Sequence, residues 1–243
     1  MREQPELDPE QERESIAIPI VQAEYLIPSI NSSVETQSTW FRNRSPTPDL
    51  ATPRSDELVR ASARAATKDR LLDFLREFNG QIIVDLGAGA TENGYRIAMF
   101  ANARGYIGVE PYHLDDLKAE FEYAEPGRSW GYIIKRYYKK ELIPATLVKQ
   151  DALGFLRLLP DSSVCIFAAG LDGFIIDNDA YCSEVEKEIA RVLAYKGAFI
   201  NYDSLFRLDQ NLFNMENIQE GVINAPKYYL TKFTRKNPYV ATF

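Results

Sequence analysis

The stretch Val84-Asp85-Leu86-Gly87-Ala88-Gly89-Ala90-Thr91 carries the clearest chemistry in this chain. Gly87 and Gly89 can turn the backbone tightly and let a ligand approach the main chain. A helix starting just after such a turn presents its partly positive N-terminus to whatever is bound. Glu110 follows 21 residues after Gly89, where a carboxylate can accept hydrogen bonds from both hydroxyls of a ribose. Asp151, in Gln150-Asp151-Ala152, can accept a bond from an amino group, or it can simply cap a helix. Asp172, after Ala168-Ala169-Gly170, is the best-placed general base by position. The dinucleotide fingerprint G-x-G-x-x-G would need glycine at position 92, where Glu92 stands. A carboxylate there serves an anionic pyrophosphate poorly, which argues against a dehydrogenase.

These residues act together only if regular elements bring them to one place. Short apolar runs predict strands at Gln81–Leu86, Tyr106–Val109, Ala145–Lys149, Val164–Ala168 and Ala198–Tyr202. Between them the pattern turns helical, at about Asn93 to Ala103 and again in a helix ending at Tyr195. That last helix carries the stripe Val185, Ile189, Val192, Leu193, capping-box spacing at Ser183 and Glu186, and a closing Gly197. An earlier helix is expected from Ser55, with Leu58, Ala61, Ala65, Leu72 and Leu75 near one face and Gly80 as its stop. Alternating strands and helices imply a doubly wound, mostly parallel α/β sheet with right-handed crossovers. Tyr228–Thr234 and Tyr239–Thr242, around Lys236–Pro238, read as a C-terminal antiparallel hairpin that brings the sheet to seven strands. Ligands of such sheets bind beyond the carboxyl ends of the strands, where the strand order reverses.

Asp85-x-Gly87-x-Gly89 resembles motif I of the class I (Rossmann-like) S-adenosylmethionine-dependent methyltransferases, although Thr91 stands where that family usually has a third glycine. Glu110 matches the family's ribose acid, and Gln150-Asp151-Ala152 is similar to the pair that contacts adenine. The segment from Glu188 to Ile200 resembles the helix, turn and strand that precede the family's fifth strand end. The resemblance spans roughly residues 80–205. It implies S-adenosylmethionine as cofactor, held by Asp85, Gly87, Ala88, Gly89, Glu110, Pro111, Asp151, Ala152 and Ala168, with no metal. It implies methyl transfer, with Asp172 as catalytic base and Tyr202 and Asp203 as weaker candidates. Neither the Asn/Asp-Pro-Pro-Tyr signature nor a Pro-Cys pair is present, so a small molecule or protein side chain is the favoured acceptor. A nucleic-acid methyltransferase and a non-catalytic methyltransferase-like binding domain stand as alternatives.

Composition narrows the choice further. Of the net charge of −7, residues 1–15 supply −4 through six acids and two bases, so the rest carries only −3. That disfavours a strongly basic nucleic-acid grip, although Lys135-Arg136-Tyr137-Tyr138-Lys139-Lys140 could hold phosphates or form a solvated helix face. Two cysteines make neither a disulfide framework nor a metal site, and no apolar run is long enough to span a bilayer. A cytoplasmic setting without membrane partners is therefore expected; oligomeric state has no signal here. Residues 1–54 hold seven of the 13 prolines and read as a largely irregular arm before a domain at 55–243. Its apolar patches, Ile16–Ile20, Tyr25–Ile27 and Trp40–Phe41, suit either a tail packed on the body or a lid over a ligand. Asp85 could merely cap amides in its turn, His113 suits a surface or helix-start role, and Cys165 belongs in the core.

Overall fold

Five of the strands are parallel and two close the sheet. The computed structural model describes residues 16–30, 72–122, 130–171, 178–202, 204–218 and 230–236. Within them lie β1 (Ile82–Leu86), β2 (Gly105–Val109), β3 (Ala145–Val148), β4 (Cys165–Ala169), β5 (Ala198–Tyr202), β6 (Phe213–Ile218) and β7 (Leu230–Arg235). The sheet order is β3-β2-β1-β4-β5-β7-β6, with β7 antiparallel to both β5 and β6. The expected doubly wound, mostly parallel seven-stranded sheet is present. β1, β2 and β5 are buried along their whole length, which is why they read as continuous apolar runs rather than as alternation.

Helices cover both faces. α1 (Ala23–Leu26), α5 (Ala152–Leu156) and α6 (Asp179–Val192) pack with Val84, Leu86, Ile107 and Ile166. On the other face, α2 (Asn93–Phe100), α3 (Leu114–Glu122), α4 (Trp130–Tyr138) and the tight turn Arg76–Phe78 pack with Ile83, Tyr106 and Phe167. β2 and β3 lie to one side of β1, while β4 and β5 lie to the other. The order therefore reverses between β1 and β4, and the turns leaving those two strands face one crevice.

Two local expectations need correcting. β7 falls within the expected C-terminal strand region, but its partner is the upstream β6, not Tyr239–Thr242. With β5 and β6 on its two sides, β7 has no edge left for the downstream segment, which lies outside the described residues. α6 begins at Asp179 under Asn178, whose side chain accepts from Tyr181 N at 3.0 Å. Ser183 is thus inside the helix, and Glu186 instead accepts Arg207 N at 2.6 Å. Gly197 sits beyond the helix end, in the turn before β5, where a Cβ would come within 2.7 Å of Cys165 Sγ.

The described part of the arm, residues 16–30, is a strap on the β3 edge. Val21 N donates to Ala145 O at 2.7 Å, Ala145 N donates to Pro19 O at 3.0 Å, and Thr146 Oγ1 donates to Val21 O at 2.9 Å. Ile18 then enters the core on one face of the sheet, while Leu26, Ile27 and Ile30 enter it on the other. This is a packed segment, not a lid, as far as residue 30. Trp40, Phe41 and the expected helix up to residue 71 lie outside the described residues. Gly105 has no side chain where Leu26 sits; a Cβ there would be 2.6 Å from Leu26 Cδ2. Leu26→Ala is accordingly expected to cost about 2–5 kcal/mol of stability, measurable by urea unfolding.

Candidate cofactor site

The turn after β1 is built on left-handed glycines, with φ of 68° at Gly87 and 70° at Gly89. A side chain would be strained at either position. Gly87 N and Ala88 N both donate to Val109 O, at 2.9 and 3.1 Å, tying the turn to the end of β2. A Cβ on Gly87 would lie 2.5 Å from Leu171 Cδ2. The glycine turn therefore rests against the segment leaving β4, across the point where the strand order reverses.

Glu110 is the centre of the arrangement. Its Oε2 accepts Gly89 N at 2.9 Å, and its Oε1 accepts Tyr112 N at 2.8 Å and His113 N at 3.2 Å. The side chain is buried, so the three amides fix where its charge sits. A carboxylate offers about four acceptor positions. One, on Oε2 beside the glycine turn, remains for a ligand hydroxyl among the described residues. Partial burial pushes the Tyr112 phenol upward, and the nearby Glu110 and Asp151 add to it.

Asp85 faces the other way, beneath α2. Its Oδ2 accepts the Tyr106 hydroxyl at 2.7 Å, and a Cβ on Gly94 would fall 1.7 Å from that same oxygen. Gly94 is thus the gap that admits the Asp85 carboxyl to the start of α2. Burial pushes Asp85 up to about 7, against the Tyr106 bond and aided by Glu110. Glu92, also buried, is pushed up to about 7 mainly by burial, with Arg96 opposing from 3.5 Å and Glu120 adding to it. Gly94, Tyr106 and the burial of Glu92 were missing from the sequence reading. Only the glycine at the start of α2 gave a signal for them.

Asp151 caps α5: its Oδ1 accepts Gly154 N at 3.1 Å and the Tyr181 hydroxyl at 3.2 Å. Its Oδ2 takes no hydrogen bond among the described residues. Capping thus occupies one oxygen of the side chain and leaves the other available. Ala152 is buried, and Ala168 is fully buried inside β4, so the partly exposed residues at that strand's mouth are Ala169 and Gly170. Pro111 is half-buried beside Glu110. His113 is buried with its Nδ1 3.4 Å from Asp116, and Cys165 is core, its Sγ donating to Glu77 O at 3.5 Å. Tyr202 is fully buried at the end of β5; Asp172 and Asp203 lie outside the described residues. The loop after β5 is instead held by Asn201, which donates to Ser204 O and Phe206 O and accepts from Ser204 N and Oγ. Of the basic run, Lys135, Arg136 and Lys139 are exposed, with Arg136 over the Tyr132 ring at 5.5 Å. Among the described residues, no group of three or more His, Cys, Asp or Glu could hold a metal, and no helix is long and apolar enough to cross a membrane.

The seven-stranded sheet, with its C-terminal antiparallel pair and helices on both faces, has the architecture that the resemblance to class I methyltransferases implies. No family model matches the sequence, and no curated protein matches it. Among solved structures, a TehB-like SAM-dependent methyltransferase from Corynebacterium glutamicum is similar at 17% identity, covering 75% of this chain and 98% of that one, with a TM-score of 0.45. A precorrin-6y C5,15-methyltransferase from Geobacter metallireducens is similar at 16% identity, covering 69% and 87%, with a TM-score of 0.44.

Proposed function

We propose that this chain binds S-adenosylmethionine at the mouth of β1, β2 and β3 and transfers its methyl group to a small molecule or a protein side chain. The observation that carries the reading is the Glu110 carboxylate, held by the Gly89 amide of a turn in which Gly87 and Gly89 have no side chain. The residues fit such a cofactor: the left-handed Gly87 and Gly89 form the tight turn that brings the Gly89 amide to Glu110, Glu110 Oε2 keeps an acceptor position for a ribose hydroxyl, and Asp151 Oδ2 keeps one for an adenine amino group. When bound, the cofactor supplies an electrophilic methyl group on a sulfonium. Glu110 and Asp151 would fix the nucleoside, and the Leu171 wall against Gly87 would keep water from one side of the crevice. Alignment of this kind supplies much of the rate in an in-line displacement. Asp172 is the proposed base where the acceptor must lose a proton. A cytoplasmic setting belongs to the same proposal, since Cys165 and Cys182 are both free thiols.

Calorimetry is expected to show micromolar-range binding of S-adenosylmethionine or its demethylated product and none of NAD. Tight NAD binding with no response to the sulfonium would reject the reading. The nucleic-acid alternative predicts steep salt dependence, because phosphate contacts release counterions. We expect instead weak RNA and DNA binding at physiological salt. Neutralising Lys135, Arg136, Lys139 and Lys140 together should leave cofactor affinity unchanged; tight RNA binding abolished by that change would promote the alternative.

A further inference from the structure

The two edges of the sheet are treated differently. β3 is tied to the strap through Pro19 and Val21, whereas β6 carries no such partner on its outer side among the described residues. Lys236 N donates to Leu212 O at 3.0 Å, which fixes the parity of the β6–β7 ladder. Residues 212, 214, 216 and 218 turn their main-chain groups toward β7. Phe213, Met215 and Asn217 turn theirs outward. Phe213 N is occupied by Asp209 O at 3.0 Å, but the outward groups of Met215 and Asn217 and the Phe213 carbonyl have no main-chain partner among the described residues. An edge of this kind invites another strand unless proline, lysine or a bulge protects it. β6, with the sequence Phe-Asn-Met-Glu-Asn-Ile, has neither proline nor lysine, and Met215 is 44% exposed.

We infer that β6 pairs antiparallel with β6 of a second copy of this chain, about a two-fold axis through Met215, joining the two sheets. This register suits the strand. Met215 would exchange both main-chain bonds with Met215 of the second copy, and Asn217 N of each copy would donate to Phe213 O of the other. On the opposite face of the sheet, Glu216 would stand across from Asn214 rather than from another carboxylate. Each Glu216 is held within its own chain by the buried Lys232 at 2.9 Å, which also binds Glu77 at 3.2 Å. Like charges directly opposite one another would oppose such pairing, and this register contains none. A closed two-fold contact also uses both open edges and leaves none exposed for further growth.

Met215→Pro in the full chain tests the pairing directly. The Met215 N–H points away from β7, so proline removes an intermolecular donor without breaking the intrachain ladder. Sedimentation equilibrium is expected to show a dimer for the parent and a monomer for Met215→Pro, with the thermal melt at matched dilution unchanged. Met215→Lys is the second variant, since it leaves the main chain intact and sets two ammonium groups together at the axis. It should raise the dimer dissociation constant by about tenfold or more. Hydrogen exchange gives a further readout: the Met215 and Asn217 amides should slow as protein concentration rises, while that of Glu216 should not. A parent that stays monomeric at its highest soluble concentration overturns the inference. So does a dimer that survives either folded variant.

Discussion

Glu110→Gln is expected to weaken S-adenosylmethionine binding by roughly 10- to 150-fold, the equivalent of one hydrogen bond to charge at about 1.5–3 kcal/mol. Three amides fix the carboxylate. Oε1 is filled by Tyr112 N and His113 N, while Oε2 serves Gly89 N and has the remaining acceptor position. A glutamine that keeps its oxygen toward Tyr112 and His113 must point its NH2 at the Gly89 amide. Donor then faces donor, and the ribose hydroxyl loses its acceptor. Glu110→Ala would free all three amides at once and lower the melting temperature more than the glutamine variant does. Calorimetry for binding and thermal melts for stability separate the two effects. Wild-type affinity in Glu110→Gln would mean that Glu110 holds the turn and nothing else.

The parts of this architecture that could be read from the sequence are those whose burial imposes a pattern. β1, β2 and β5 lie in the interior, so every residue in them is constrained and the apolar runs stand out. β6 escaped because Asn214, Met215, Glu216 and Asn217 are all exposed and carry no alternation, while Phe213 lies in the core. The start of α6 was misplaced for a different reason. Ser183 and Glu186 have the right spacing for a capping box, but Asn178 offers a cap one turn earlier, before the first buried residue, Tyr181. At the site, Glu110 was legible because its distance from the glycine turn is set by the length of one helix and one strand. The Asp85–Tyr106–Gly94 contact was not, because it joins three elements through a space defined by a missing side chain. Asp85 therefore looks, from sequence, like a residue of the ligand crevice, while its carboxyl lies on the side of the sheet covered by α2.

That buried carboxyl should govern how stability changes with pH. Asp85 is raised from 3.8 to about 7 by burial, so the native chain keeps a proton that the unfolded chain releases from about pH 4 upward. The stabilisation associated with this group is full below the unfolded value and is lost as pH rises through about 7. The difference between 3.8 and about 7, at roughly 1.4 kcal/mol per tenfold change in proton affinity, sets a ceiling of about 4 kcal/mol. In Asp85→Asn the amide oxygen can still accept the Tyr106 hydroxyl, but nothing ionises. The variant should lose stability less steeply between pH 5 and 8 and should exceed the parent at pH 8. Part of the slope should persist, because Glu92 is pushed up to about 7 by its own burial. Tyr106→Phe tests the same contact from the opposite direction. The tyrosine bond holds the Asp85 value down, so removing it should move the falling limb of the stability curve to higher pH. Urea unfolding at intervals across this range measures both shifts. Parallel curves for the parent and Asp85→Asn would show that the carboxyl is solvated rather than buried beneath α2.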